Sequence, residues 1–222
     1  MKTLVVAPHP DDELLGCGGT LLRRMFEGGT VAWLLMTAIT EEGGWSRERI
    51  EQRAGEIEKV RDGLGIAPQH LYRLGFPTAQ LDQQPMDTLV SRVSEVFRDF
   101  EPDKVLLPHP GDAHSDHRVT FDVVSACTKW FRYPSVRRVL TYETLSETDA
   151  GLDPVRGFYP TVFVDIGGYL EHKIELMRVY ESEMGDFPFP RSEWALRALA
   201  ENRGAQCGFA AAEAFRLMRD RI

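Results

Sequence analysis

Basic charge, cysteine and long apolar runs are what this 222-residue sequence has least of. Lys and Arg number 26 against 34 Asp and Glu, a formal net charge of −8. That balance argues against nucleic acid or an anionic membrane as the main partner, because both are held through basic patches. The longest apolar run, Val31 to Met36, is far short of the ~20 residues that cross a bilayer, so no membrane span is expected. Three scattered cysteines (Cys17, Cys127 and Cys207) form no CxxC pair. A disulfide scaffold and a cysteine-ligated zinc site are therefore both disfavoured, and buried reduced thiols are expected. Behind Met1 and Lys2 there is no long apolar segment with a small-residue cleavage site, which suggests a cytoplasmic chain. Repeats, low-complexity tracts and linkers are also missing.

What is present is ordinary globular material, 43% hydrophobic and 27% charged, which is wrong for disorder. A chain of this length makes one domain over residues 1–222 and buries about 70% of its unfolded surface. Apolar runs at Thr3–Ala7, Thr30–Thr37, Leu71–Leu74, Lys104–Leu107, Val136–Tyr142 and Thr161–Asp165 read as strands. Helical spacing runs over Glu13–Phe26, Arg47–Gly63, Asp87–Phe100, Ser115 to about Phe131, Leu170–Tyr180, and about Ala210 to Arg219. Strands alternating with helices point to an α/β fold, a single doubly wound (Rossmann-like) domain whose mostly parallel sheet carries helices on both faces.

Two loops carry the chemistry. The first strand runs into Pro8-His9-Pro10-Asp11-Asp12-Glu13, and in open α/β sheets ligands bind outside such strand ends. Three acids and a histidine within five residues repel one another unless a cation intervenes, and a divalent metal is the simplest one. His9 and Asp12, three apart, aim at one point from a turn entering a helix, while Asp11 projects differently. Helix capping alone would also account for Asp12 and Glu13. The second loop, His109-Pro110-Gly111-Asp112-Ala113-His114-Ser115-Asp116-His117, follows another expected strand and holds three of the six histidines. Two such loops at equivalent strand ends are hard to explain as capping. Gly16-Cys17-Gly18-Gly19 invites a dinucleotide reading, but the third glycine of GxGxxG would fall at Leu21, so close helix packing suits these glycines better.

PHPDDE after an amino-terminal strand, paired with a distant HxDH, resembles the LmbE/PIG-L family of metal-dependent deacetylases acting on N-acetylglucosaminyl compounds. Arg53-Ala54-Gly55-Glu56, Glu171-His172-Lys173, Arg203-Gly204 and Ala212-Glu213-Ala214-Phe215 resemble further stretches of that family, in order along the chain. The resemblance implies His9, Asp12 and His117 as ligands of Zn2+, a donor set that keeps positions open as a catalytic site requires. It implies Asp11 as general base, His114 as oxyanion stabiliser or acid, and Asp116 as the carboxylate orienting a histidine. Arg53 is the implied substrate-binding group, with a solvated helix-face arginine as the alternative. The implied substrate is an N-acetylated amino sugar or its glycoside, with homo-oligomers common among relatives. An amidase of a thiol conjugate and an inactive sugar- or metal-binding relative are the alternatives.

Two positions depart from the family pattern. Thr78 stands where many members have a sugar-contacting Asp, with Asp82 as a candidate substitute, and Asp112 stands where some have Tyr. Both departures are expected to touch substrate recognition or oxyanion support rather than metal binding. The same donors suit Fe2+ in an oxygenase, but Asp11 would have no use there. Trp45 reads either as part of a lid or as a plain exposed turn.

Overall fold

A computed structural model describes residues 1–222. Its strands are β1 (Lys2–Ala7), β2 (Thr30–Ala38), β3 (Leu71–Pro77), β4 (Lys104–Pro108), β5 (Arg138–Tyr142), β6 (Val162–Asp165) and β7 (Ala212–Asp220). Its helices are α1 (Asp12–Phe26), α2 (Arg47–Gly63), α3 (Met86–Phe100), α4 (Ser115–Ala126), α5 (Leu170–Met177) and α6 (Glu193–Ala205). One sheet runs β3-β2-β1-β4-β5-β7-β6. It is parallel from β3 to β5, and β7 lies antiparallel to both β5 and β6.

Side chains alternate across this sheet, as strand geometry requires. Val5 and Ala7 of β1 pack with Leu14 and Leu21 of α1 and with Ile57 of α2 on one face. Leu4 and Val6 pack with Leu89, Val93 and Phe97 of α3 and Val123 of α4 on the other. Both faces are covered, which is why β1 reads as a continuous apolar run rather than an alternating one. The strand order turns at β1 and β4: from β1 the chain builds outward through β2 and β3, then returns to place β4 on the opposite side. A crevice opens at such a point outside the carboxyl ends of the strands, and both histidine-rich loops leave from there.

Close approach explains the glycines after the first loop. A Cβ on Gly16 would lie 2.2 Å from the Tyr142 ring, and one on Gly19 would lie 2.8 Å from Ile166. α1 therefore sits tightly against the sheet, as expected for packing rather than for phosphate binding.

The C-terminal part corrects the sequence reading. Ala212–Asp220 is strand β7 and not the expected helix over Ala210 to Arg219. Alanine favours helix, but β5 and β6 each pair with this segment, and pairing outweighs local preference (Tyr142 and Val162 both register with Phe215). The unforeseen helix is α6, whose N-cap Ser192 accepts from the Ala195 amide at 3.2 Å. Helix ends were overrun as well: α4 stops at Ala126 rather than near Phe131, and α5 at Met177 rather than Tyr180. No helix is long and apolar enough to cross a membrane.

Candidate active site and metal centre

The chain leaves β1 through His9 and turns into α1 at Asp11, which stands at φ 132° and ψ −30°, outside the region ordinary side chains favour. That strained turn persists because its surroundings hold it. The Asp11 amide donates to Glu13 Oε2 at 3.0 Å, and the Tyr180 hydroxyl donates to Glu13 Oε1 at 3.1 Å. Glu13 thus supports the turn and does not face the cavity. Asp11 lines the same cavity as His9 and Asp12.

Donor atoms of His9, Asp12 and His117 all lie within 4.8 Å of one another. Asp12 Oδ2 is 3.3 Å from His9 Nδ1 and 3.3 Å from His117 Nε2. The other nitrogen of each ring is engaged elsewhere. His9 Nε2 meets Asp116 Oδ2 at 3.0 Å, and His117 Nδ1 meets Asp112 Oδ2 at 2.8 Å. Asp116 is fixed in turn by the amides of Ala79 at 2.7 Å and Leu81 at 3.0 Å, and Asp112 by the Thr148 hydroxyl at 2.6 Å.

His117 Nε2 is buried and makes no hydrogen bond. A buried imidazole nitrogen left with only the Asp12 contact at 3.3 Å, and no well-formed hydrogen bond, is poorly satisfied within the protein. Burial opposes charge on this ring, but Asp12 and Asp112 outweigh it and raise its pKa well above the usual histidine value. With Nδ1–H held by Asp112, a cation would displace the Nε2 proton and take the lone pair aimed at the cluster. A divalent cation fits that lone pair, the Asp12 oxygen and His9 Nδ1. His9, His114 and Asp116 also lie close enough to form a donor set. Asp116 spends its oxygens on His9 and two amides, and His114 Nδ1 accepts the Asp116 amide at 3.0 Å, so that set is already satisfied.

Charge follows from the burial. Burial raises the Asp11 carboxyl to about 8, helped by the neighbouring Asp12 and Glu183. Burial works the same way on Asp12, but His117 and His9 outweigh it and hold that carboxyl well below the usual range. For His114, burial and then nearby His9 lower the ring's basicity. His114 is therefore a neutral ring whose Nε2 carries the proton on the cavity side, as its Nδ1 hydrogen bond requires.

The cavity in front of these groups holds about 370 Å³. His9, Asp11, Asp12, His114 and His117 form one end, and Trp45 stands at the exposed rim. Arg53 lines the cavity but is not a solvated helix-face arginine. It is 8% exposed, donates to Pro10 O at 3.1 Å, and ion-pairs with Glu56 and Glu183. Thr78 lines the cavity too, whereas Asp82 is exposed and does not, so Asp82 does not take the place of the expected sugar-contacting acid.

Asp112 requires a further correction. It pairs with His117, one of the three residues that could hold a metal, so its departure from the family pattern is not confined to substrate recognition or oxyanion support. Glu147, which accepts from the His114 amide at 3.0 Å, and Glu183 and Arg191 also border the cavity. The last two come from a loop far along the chain, where no local pattern marks them. Asp112 was visible within its loop, but its pairing with His117 depends on the turn at Gly111.

The de-N-acetylase family model described as PIG-L, GlcNAc-PI de-N-acetylase, matches residues 4–128, the stretch holding both histidine-rich loops. The chain belongs to this family. PIG-L relatives extend the likeness beyond that stretch. The diacetylchitobiose deacetylase of Thermococcus kodakarensis is 30% identical over 98% of this chain and 83% of its own length. The 2'-N-acetylparomamine deacetylase of Streptomyces fradiae is 29% identical over 83% of this chain and 74% of its own. Among solved structures, the N,N'-diacetylchitobiose deacetylase of Pyrococcus horikoshii superposes with a TM-score of 0.79 at 25% identity, covering 98% of this chain and 84% of that one.

Proposed function

We propose that this chain is a metal-dependent hydrolase that removes the N-acetyl group from an amino sugar or its glycoside. The observation that carries the reading is the buried His117 Nε2, without a well-formed hydrogen bond and converging with Asp12 and His9, with the strained Asp11 alongside. The names of the relatives agree in one respect, because diacetylchitobiose and 2'-N-acetylparomamine are both N-acetylated amino sugars. His9, Asp12 and His117 are the proposed ligands, and zinc is the ion their nitrogen and oxygen donors suit. Fe2+ is the other ion such a set accepts.

When bound, the ion supplies Lewis acidity, polarising the amide carbonyl and bringing the pKa of water toward about 7. The rest belongs to the chain's own residues. Asp11 takes the proton of the attacking water, a role that its burial favours by raising its basicity. His114 donates Nε2–H to the oxygen on which charge develops, and it needs no reorganisation because its Nδ1 is already pinned by the Asp116 amide. The same pinning keeps His114 from being the acid, since an imidazolium would set Nδ1–H against that amide N–H. Asp11 therefore hands its proton on to the departing amine. Asp116 and Asp112 orient His9 and His117. Arg53 holds Pro10 and Glu183, and so shapes the cavity wall that meets the sugar.

Acetate release from N-acetylglucosamine and N,N'-diacetylchitobiose, with and without a chelator, tests this function. Chelator-sensitive release from at least one of them is expected. No acetate from either, in a chain carrying stoichiometric metal, would contradict the reading.

A further inference from the structure

α1 is two helical pieces rather than one. Cys17 lies between them at φ −152° and ψ 17°, outside helical geometry. A break of that kind strands carbonyls on its near side and amides on its far side. Side chains meet them. The Cys17 thiol donates to Glu13 O at 3.3 Å, and Lys173 Nζ of α5 donates to Leu15 O at 3.0 Å. Beyond the break, Glu213 of β7 accepts from the Gly19 amide at 2.9 Å and the Thr20 amide at 2.7 Å. Lys173 and Glu213 then join each other at 2.8 Å, each side chain only 5% exposed.

The piece before the break, residues 12–16, brings Asp12 and Leu15 to the cavity. It is little more than one turn long, too short to hold its own direction by helical hydrogen bonds. Its aim depends on what grips its two ends. Glu13 and Tyr180 hold the start through the Asp11 amide, and Lys173 holds the end through the Leu15 carbonyl.

We propose that the Lys173–Glu213 pair is a positioning device for the metal-binding turn. Anchored on the amides of the long piece, it fixes the short piece, and thereby sets Asp12 against His9 and His117. Neither residue touches the reacting atoms. A buried ion pair contributes little net stability once its desolvation is counted, so a geometric role accounts for its place here better than a stabilising one. The inference rests on the reading of His9, Asp12 and His117 as metal ligands.

The test is the zinc affinity of the chelator-stripped full chain, measured by competition with a chromophoric chelator alongside Tm. The variants are Glu213→Gln, Lys173→Met and their double, with Val96→Ala as control in α3 across the sheet. Both pair variants are expected to lose roughly 10- to 100-fold in zinc affinity and to lower kcat at saturating zinc with KM nearly unchanged. The double should lose no more than the worse single, because the two residues act as a unit. Val96→Ala should lower Tm and leave zinc affinity alone. Wild-type zinc affinity and kcat in the pair variants, with only Tm reduced, would overturn the proposal. If a single variant does not fold, the double variant, which leaves no unpaired buried charge and removes the donor to Leu15 O, is read by the same criterion. Failure of the wild-type chain to bind zinc would instead count against the metal reading itself.

Discussion

Both ring nitrogens of His117 have a defined orientation, one toward Asp112 and one toward the gap beside Asp12. Asp112→Ala frees the ring to turn and removes the acceptor that fixes its tautomer. Zinc affinity measured by chelator competition should fall by about 10- to 100-fold. His114 differs, because its cavity-side N–H is proposed to meet charge that develops only during reaction. His114→Ala should lower kcat by roughly 10²- to 10³-fold in steady-state assays while metal content by elemental analysis stays unchanged. Much of this site was legible in the sequence, since His9, Asp11 and Asp12 are near neighbours, as are His114, Asp116 and His117. What escaped were relations that only folding creates. Asp116 reaches His9 across 107 positions, and Glu183 arrives at Arg53 across 130.

Among the elements, α1 and α2 show what a glycine does when space is and is not available. Gly16 of α1 has the Tyr142 ring where its Cβ would be. Gly16→Ala should cost about 1–3 kcal/mol, read as a lowered Tm and denaturant midpoint. Gly55, in the interior of α2, has nothing within 4 Å of a would-be Cβ. Gly55→Ala should stabilise by roughly 0.5–1 kcal/mol in the same measurement, through a less flexible unfolded chain. β1, β2 and β4 were legible because burial on both faces leaves nearly unbroken apolar runs. β7 was not: Ala210-Ala211-Ala212-Glu213-Ala214 has helical preferences, and only the unpaired sides of β5 and β6 make it a strand. α6 escaped although its buried positions Leu196, Ala200 and Gly204 stand four apart, because two of the three are small and leave only a weak apolar stripe.

For the whole molecule, the acidity noted at the outset has a local origin in part. Asp11, Asp12, Glu13, Asp112 and Asp116 are all buried at the crevice between β1 and β4. Side chains held together against their charge in this way gain from a dication, so metal and fold should be thermodynamically linked. Removing zinc with a chelator should lower Tm by several degrees, and restoring zinc should recover it. At a free ion concentration about 100 times Kd the linkage is worth about 2.7 kcal/mol, and at this chain length each kcal/mol moves Tm by roughly 2–4 °C. A Tm indifferent to zinc would mean that the His9–Asp12–His117 cluster does not hold the ion. The most direct measurement pairs turnover with metal content in Asp11→Asn, using acetate released from N,N'-diacetylchitobiose. The account predicts about one zinc per chain, as in the wild type, and acetate release reduced by about 10²- to 10⁴-fold. Turnover near the wild-type rate, or a variant that has lost its zinc, would contradict the assignment of Asp11 as the base beside a metal held by His9, Asp12 and His117.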